Sequence, residues 1–147
     1  MDRGPIGVVL PAPIDLVLSR HDVVQPDLLV VVGARPAAVT ERDVQGPPDL
    51  AIEVLSPSTR RLDRGRKRAL YDRAGVGEYW LVDPEGEKVT VHRRAEGGLR
   101  VVAELARKGG TPLTTPLLPE LAIDLDELFR KPAVLRARLR RLVGDLP

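Results

Sequence analysis

Glu53 stands in the middle of the apolar run Leu-Ala-Ile-Glu-Val-Leu at 50–55. A β-branched residue there would stabilise a strand more, and an unpaired buried carboxylate is costly. Strand alternation places Glu53 on the face of Ala51 and Leu55, opposite Ile52 and Val54. Either that face is solvated or supplies an arginine partner, or Glu53 opens into a polar cleft and binds a cation. Asp27 is the natural companion. Pro26 cannot donate to a sheet ladder, so Pro26-Asp27 marks the start of the apolar run Leu28–Val32, with the carboxylate near the sheet's edge. If the two strands are neighbours, their carboxylates converge and repel, and a divalent cation removes that repulsion. A site of oxygen ligands alone suits Mg²⁺ or Mn²⁺. Taken singly, Asp27 reads equally well as a strand-start or turn residue. Pro48-Asp49 repeats the dipeptide, but Asp49 is four residues from Glu53 on one strand, about 13 Å at the usual rise. That is too far to share a cation, so Asp49 reads as a turn residue.

Lys67 is the third candidate. Asp63, Lys67 and Tyr71 are spaced by four residues and form one stripe of a helix. The stripe borders an apolar sector of Leu62, Leu70 and Ala74, while Arg61, Arg64, Arg68 and Asp72 occupy the opposite face; angle alone does not select Lys67, because Arg66 also lies in the apolar half. An Asp63–Lys67 surface pair with Tyr71 packed beneath it would explain the same spacing. Ser56 and Ser58 lack a G-x-S-x-G setting and are read as caps.

The elements that must hold these groups are short. Ile6–Leu10 and Ile14–Leu18 read as strands joined by Pro-Ala-Pro, and Leu28–Val32 and Leu50–Leu55 as buried strands. Residues 33–49, with Gly, Pro and charges, read as a loop or irregular excursion. Residues 60–74 lack Pro and β-branched residues and predict a helix, capped by Ser58 or Thr59 and stopped at Gly75. Glu78–Val82 and Lys88–His92 read as strands around the turn Asp83-Pro84-Glu85-Gly86, and Leu99–Leu105 as another. Tyr79 and Trp80 face opposite sides, so one is expected in the core. Leu125–Phe129 and Ala133–Val143 read as helices. The basic last helix is read as a packing or dimer-forming element in preference to a nucleic-acid contact. Strands around a single helix indicate an α/β fold with a mixed sheet.

The chain's 147 residues are enough for one core, and 23 basic against 21 acidic residues give a formal charge of +2. That balance permits a nucleic-acid partner without requiring one. The absence of cysteine excludes disulfides, thiolate zinc sites and cysteine nucleophiles, and makes the cytoplasm the expected compartment. Two histidines, His21 and His92, make a histidine zinc site an unfavoured reading. No apolar run approaches the roughly 20 residues of a membrane helix, and no signal-peptide pattern opens the chain. Aromatics at 3% do not support a base-stacking platform.

The stretches Gln25-Pro26-Asp27-Leu28-Leu29-Val30 and Pro48-Asp49-Leu50-Ala51-Ile52-Glu53-Val54-Leu55-Ser56-Pro57-Ser58 carry a family resemblance. So do Asp63-x-x-x-Lys67-x-x-x-Tyr71, Gly75-Val76, Glu78-Tyr79-Trp80-Leu81-Val82-Asp83-Pro84 and Thr115-Pro116-Leu117-Leu118-Pro119. Together, over roughly residues 5–130, the chain resembles the Uma-two family of restriction-endonuclease-like proteins in the PD-(D/E)XK nuclease superfamily. The resemblance implies a mixed β-sheet flanked by helices over 1–130, with a basic amphipathic helix or tail at 131–147. By position it makes Asp27 and Glu53 the acids, the Val54 carbonyl a further metal ligand, and Lys67 the catalytic lysine. Leu55 stands at the usual lysine position, so the lysine has moved to the following helix. Tyr71 and Asp63 become accessory residues, and Arg61, Arg64 and Arg68 phosphate contacts. Relatives carry an N-terminal helix before the equivalent of Ile6, and the sequence opens without it.

The expectation is therefore a Mg²⁺- or Mn²⁺-dependent endonuclease acting on DNA with weak sequence preference, apart from membranes and able to form a homodimer. Its rival is a catalytically degenerate nuclease-fold module used for DNA binding or dimerisation. A misplaced start at Met1 would favour the enzyme, and a genuine one the degenerate module.

Overall fold

The computed structural model describes residues 8–32, 38–56 and 63–144, with the side chains of all but Ala38, Asp63 and Arg64. Their order begins β1 (Val8–Pro11), β2 (Asp15–Val17), β3 (Val23–Val24), β4 (Leu28–Val31), β5 (Ala38–Val39), β6 (Asp43–Gln45) and β7 (Leu50–Val54). A helical segment follows, wound as a π-helix over Asp63–Lys67 and as α1 over Arg68–Ala74. Then come β8 (Glu78–Asp83), β9 (Lys88–Ala95), β10 (Gly98–Ala106), β11 (Leu113–Thr115) and β12 (Leu118–Ile123). Helices α2 (Leu125–Phe129) and α3 (Leu135–Gly144) complete the order.

Six strands form the central sheet in the order β1-β4-β7-β8-β9-β10. Within it β7 and β8 run parallel, and every other pairing is antiparallel. A parallel neighbour requires a crossover, and α1 lies in that connection. This is the mixed α/β sheet expected from one helix set among strands.

Both faces of the sheet are covered, which explains why β4, β7 and β8 are buried along their whole length. On one face Val30, Ile52, Trp80 and Val91 pack with residues of β11, β12, α2 and α3. On the other, Leu29, Ala51, Tyr79 and Leu81 pack with Tyr71 of α1, Leu16 of β2 and Val44 of β6. Adjacent Tyr79 and Trp80 are both fully buried, one in each cluster. The expectation of a single core aromatic assumed one covered face.

Residues 38–45 correct another expectation. The Pro- and Gly-rich excursion contributes β5 and β6 to a four-stranded sheet ordered β3-β2-β6-β5, in which β2 and β6 are parallel. These strands are two and three residues long, too short to leave a periodic signal. Gly75 ends α1 as expected, in the left-handed region at φ 89°. Leu135, Leu139 and Val143 of α3 are buried against the first face. Among the described residues no helix is long and apolar enough to cross a membrane.

Candidate active site

The β4–β7 ladder pairs Leu28 with Ile52, Leu29 with Ala51 and Val30 with Leu50. One step beyond it, Asp27 stands across from Glu53. Because β4 lies between β1 and β7, Asp27 marks the end of an interior strand rather than an edge strand. Its Oδ2 accepts the Val54 N–H at 2.7 Å, taking over where the backbone ladder stops. Its Oδ1 accepts from Arg136 Nε at 2.9 Å, and Arg136 Nη2 donates to the Val54 carbonyl at 3.2 Å. One cationic group thus reaches both the Asp27 carboxylate and the Val54 carbonyl.

Glu53 is 3% exposed. Its Oε2 accepts the Tyr71 hydroxyl at 2.7 Å and lies 3.0 Å from Lys67 Nζ. Burial pushes the Glu53 carboxyl above the usual carboxylate range, and nearby Asp27 adds to the push. Lys67 and the Tyr71 hydroxyl pull it back down without cancelling the burial. The carboxyl is held where its charge is expensive.

Lys67 and Tyr71 reach Glu53 from one side because they are four residues apart. Lys67 closes the π-helical turn and Tyr71 lies within α1. The far end of α1 is fastened by Arg94, which donates to the carbonyls of Tyr71, Asp72 and Val76 at 3.3, 2.7 and 2.9 Å. The Tyr71 ring packs on Tyr79, whose ring stacks on His92, at centroid distances of 5.0 and 5.2 Å. Tyr71 is therefore fixed from behind, whereas Lys67 borders a cleft of about 430 Å³ lined by His21, Val24, Arg66, Leu70 and Arg73 among others.

Lys67 and Tyr71 meet on Glu53, and Asp27 holds the backbone of the next residue, Val54, near enough for its charge to act on the Glu53 carboxyl. Arg61 and the capping candidates Ser58 and Thr59 lie outside the described residues, as do the side chains of Asp63 and Arg64. Arg68 Nη2 is 3.5 Å from the Leu99 carbonyl, and the residue borders a separate cleft lined by Leu81, Lys88, His92 and Glu104. Sequence reasoning missed Arg136, which meets Asp27 across 109 residues of chain. Nothing in the arginine-rich stretch 136–141 distinguishes it. Arg66 and Arg73, rather than Arg68, flank the cleft beside Lys67.

No group of three or more His, Cys, Asp or Glu suited to a metal occurs among the described residues. What the corner offers is two carboxylates and a backbone carbonyl. These are hard oxygen donors, and a guanidinium already bridges two of them, so the donor chemistry fits Mg²⁺ or Mn²⁺.

The Uma2 family, described as "Putative restriction endonuclease", matches residues 2–126. No curated protein matches the sequence. A solved crystal structure of "a putative nuclease belonging to DUF820" from Anabaena variabilis is similar, with a TM-score of 0.64 and 22% sequence identity. The match covers 85% of this chain and 69% of that one. At that identity the likeness speaks for the fold. Arg136 and α3 lie beyond the residues that the family matches.

Proposed function

The chain belongs to the Uma2 family, and on that premise we propose a metal-dependent endonuclease that hydrolyses DNA phosphodiester bonds. Asp27, Glu53 and the Val54 carbonyl would hold Mg²⁺ or Mn²⁺. The chemistry supplied by such an ion, when bound, is polarisation of the scissile phosphate and a lowered pKa for the attacking water. Lys67 orients that water and offsets the charge that develops on the phosphorane. Tyr71 holds the Glu53 carboxylate in place through its hydroxyl. The cleft beside Lys67 receives the nucleic-acid backbone, with Arg66 and Arg73 as phosphate contacts alongside the sequence-based candidates Arg61 and Arg64, whereas Arg68 borders the separate cleft. Such contacts carry no sequence information, so binding is weakly selective and falls steeply with salt.

The observation that carries this reading is the 3.0 Å approach of Lys67 Nζ to buried Glu53 Oε2. It occurs beside the corner where Asp27 and the Val54 carbonyl share one cation. Two variants test it, assayed for cleavage of plasmid DNA and, separately, for Mn²⁺ binding by calorimetry. Lys67→Ala should lower cleavage at least about a hundredfold while Mn²⁺ affinity stays near that of the parent. Glu53→Ala should lose both. A folded Lys67→Ala protein that cleaves like the parent would reduce Lys67 to an ion-pair residue.

One observation favours a second reading, a nuclease-fold module that binds DNA without cutting it. Lys67 and Arg136 already neutralise Glu53 and Asp27 from within the chain. DNA binding that is salt-sensitive but unaccompanied by Mn²⁺ uptake or cleavage would decide for it.

A further inference from the structure

Arg136 Nε lies 2.9 Å from Asp27 Oδ1, and its Nη2 lies 3.2 Å from the Val54 carbonyl oxygen. These are two of the three oxygens assigned above to a divalent cation, and the inference rests on that assignment. The other Asp27 oxygen is committed to the Val54 N–H, so Oδ1 is the one that faces a cation. A guanidinium donates from fixed directions in a plane, and here its fork spans acceptors on two neighbouring strands.

The arginine's backbone is well anchored. Leu135, Leu139 and Val143 of the same helix are buried in the core. Arg138 donates to the Glu127 and Leu128 carbonyls at 2.7 and 3.3 Å, tying α3 to the end of α2. The Arg136 side chain is nevertheless 57% exposed. It can swing into solvent without moving the helix that presents it.

We infer that Arg136 is a resident counter-ion of the site, whose guanidinium and a divalent cation occupy the Asp27–Val54 corner mutually exclusively. Both need the same lone pairs, and like charges at one pair of oxygens repel. The last helix then acts as a latch: the corner is charge-balanced while Arg136 is seated, and loading requires Arg136 to leave. A purely structural ion pair predicts the reverse, because losing Arg136 would loosen the corner and weaken any ion held there.

Mn²⁺ titration by calorimetry, without DNA, separates the two for the full chain, Arg136→Gln and Arg140→Gln. Arg140 is exposed on the same helix, so its variant matches the change in net charge away from the corner. Arg136→Gln should bind Mn²⁺ about tenfold more tightly than the parent, with Arg140→Gln unchanged. Arg136→Lys keeps the charge but loses the fork, and should fall between them. Parent-like or weaker affinity in Arg136→Gln overturns the latch and leaves the metal-site reading standing, as does equal tightening in Arg140→Gln. If neither parent nor Arg136→Gln binds at millimolar Mn²⁺, the metal-site reading falls and takes the latch with it.

Discussion

The two ends of the β4–β7–β8 strand trio each carry an aspartate and a buried glutamate, yet the glutamates are held differently. Asp27 and Glu53 stand at one end, Asp49 and Glu78 at the other, where Glu78 is in register with Leu50. The aspartates do the same backbone work. Asp27 takes the Val54 N–H at 2.7 Å and Asp49 takes the Val32 N–H at 2.6 Å, so each finishes its neighbour's strand. The glutamates differ. Glu78 is met on both oxygens, by the Trp80 indole N–H at 2.6 Å, Thr115 hydroxyl at 2.8 Å and Arg93 Nε at 3.1 Å. Glu53 receives Tyr71 and Lys67 on the same oxygen, Oε2, and its carboxyl is held above the usual range by burial. One end locks a carboxylate with donors that fix the packing of β8, β9 and β11. At the other, Glu53 is held by the buried Tyr71 hydroxyl and by Lys67, and Asp27 by the largely exposed Arg136 side chain.

That contrast is open to attack by mutation, and the largest stability effect belongs to the locked end. Glu78→Ala strands the Trp80 N–H and the Thr115 hydroxyl in the interior and should cost about 3 kcal/mol in urea unfolding. Glu53→Gln should change stability by less than about 1 kcal/mol, in the stabilising direction if at all, because it removes an expensive buried charge. It should abolish cleavage all the same. Equal losses of stability in the two variants would erase the distinction between the ends.

A smaller pair of effects sharpens it. Asp49→Ala leaves the Val32 N–H without its carboxylate acceptor in a closed setting, where Asp49 is 4% exposed, and should cost about 2 kcal/mol. Asp27→Ala orphans the Val54 N–H at a more open margin, where water can replace the lost acceptor, and should cost about 1 kcal/mol. Mn²⁺ calorimetry should reverse that ranking: binding disappears in Asp27→Ala and survives in Asp49→Ala. Retained Mn²⁺ affinity in a folded Asp27→Ala protein would remove Asp27 from the site.

The sequence exposed the open end more readily than the locked one. Glu53 breaks an apolar run, Lys67 and Tyr71 repeat at helical spacing, and Pro-Asp marks a strand start, so local pattern suffices to nominate all four. Glu78 raised no signal, because a glutamate that begins a strand passes for a surface residue until Trp80, Arg93 and Thr115 close on it. Arg136 was invisible for a related reason: its partner lies 109 residues away, and neighbouring arginines mask it. The β11–β12 hairpin escaped notice because Pro116 and Pro119 give its turn and second strand the texture of a loop. Central strands were legible since burial on both faces leaves continuous apolar runs, whereas β5 and β6 bury too little to leave a pattern.

The smallest effect concerns protonation beside the locked end. His92 neighbours Arg93 on β9 and is buried, with Nδ1 3.1 Å from the Tyr79 carbonyl and its ring stacked on Tyr79. Burial pushes its pKa below the ordinary histidine value; the Tyr79 carbonyl pulls it up, and Arg68 adds to the lowering. Lys88 and Glu104 share the adjoining cleft with Arg68. With the folded pKa lowered, the unfolded chain binds more protons between that value and about 6.5, so folding stability rises with pH across this window. Acidifying from about pH 7.5 to below about 6.5 should therefore erode stability, by at most about 1.4 kcal/mol per pH unit from this one group. Glu53 runs the other way: an acid whose folded pKa is raised loses stabilisation as pH rises through that value. Measuring urea midpoints in a Glu53→Gln background removes this opposing slope, and adding His92→Gln should then flatten the dependence between pH 5.5 and 7.5. If the slope survives the histidine's removal, the pH dependence belongs to other groups, and His92 is a packing residue without a titrating role.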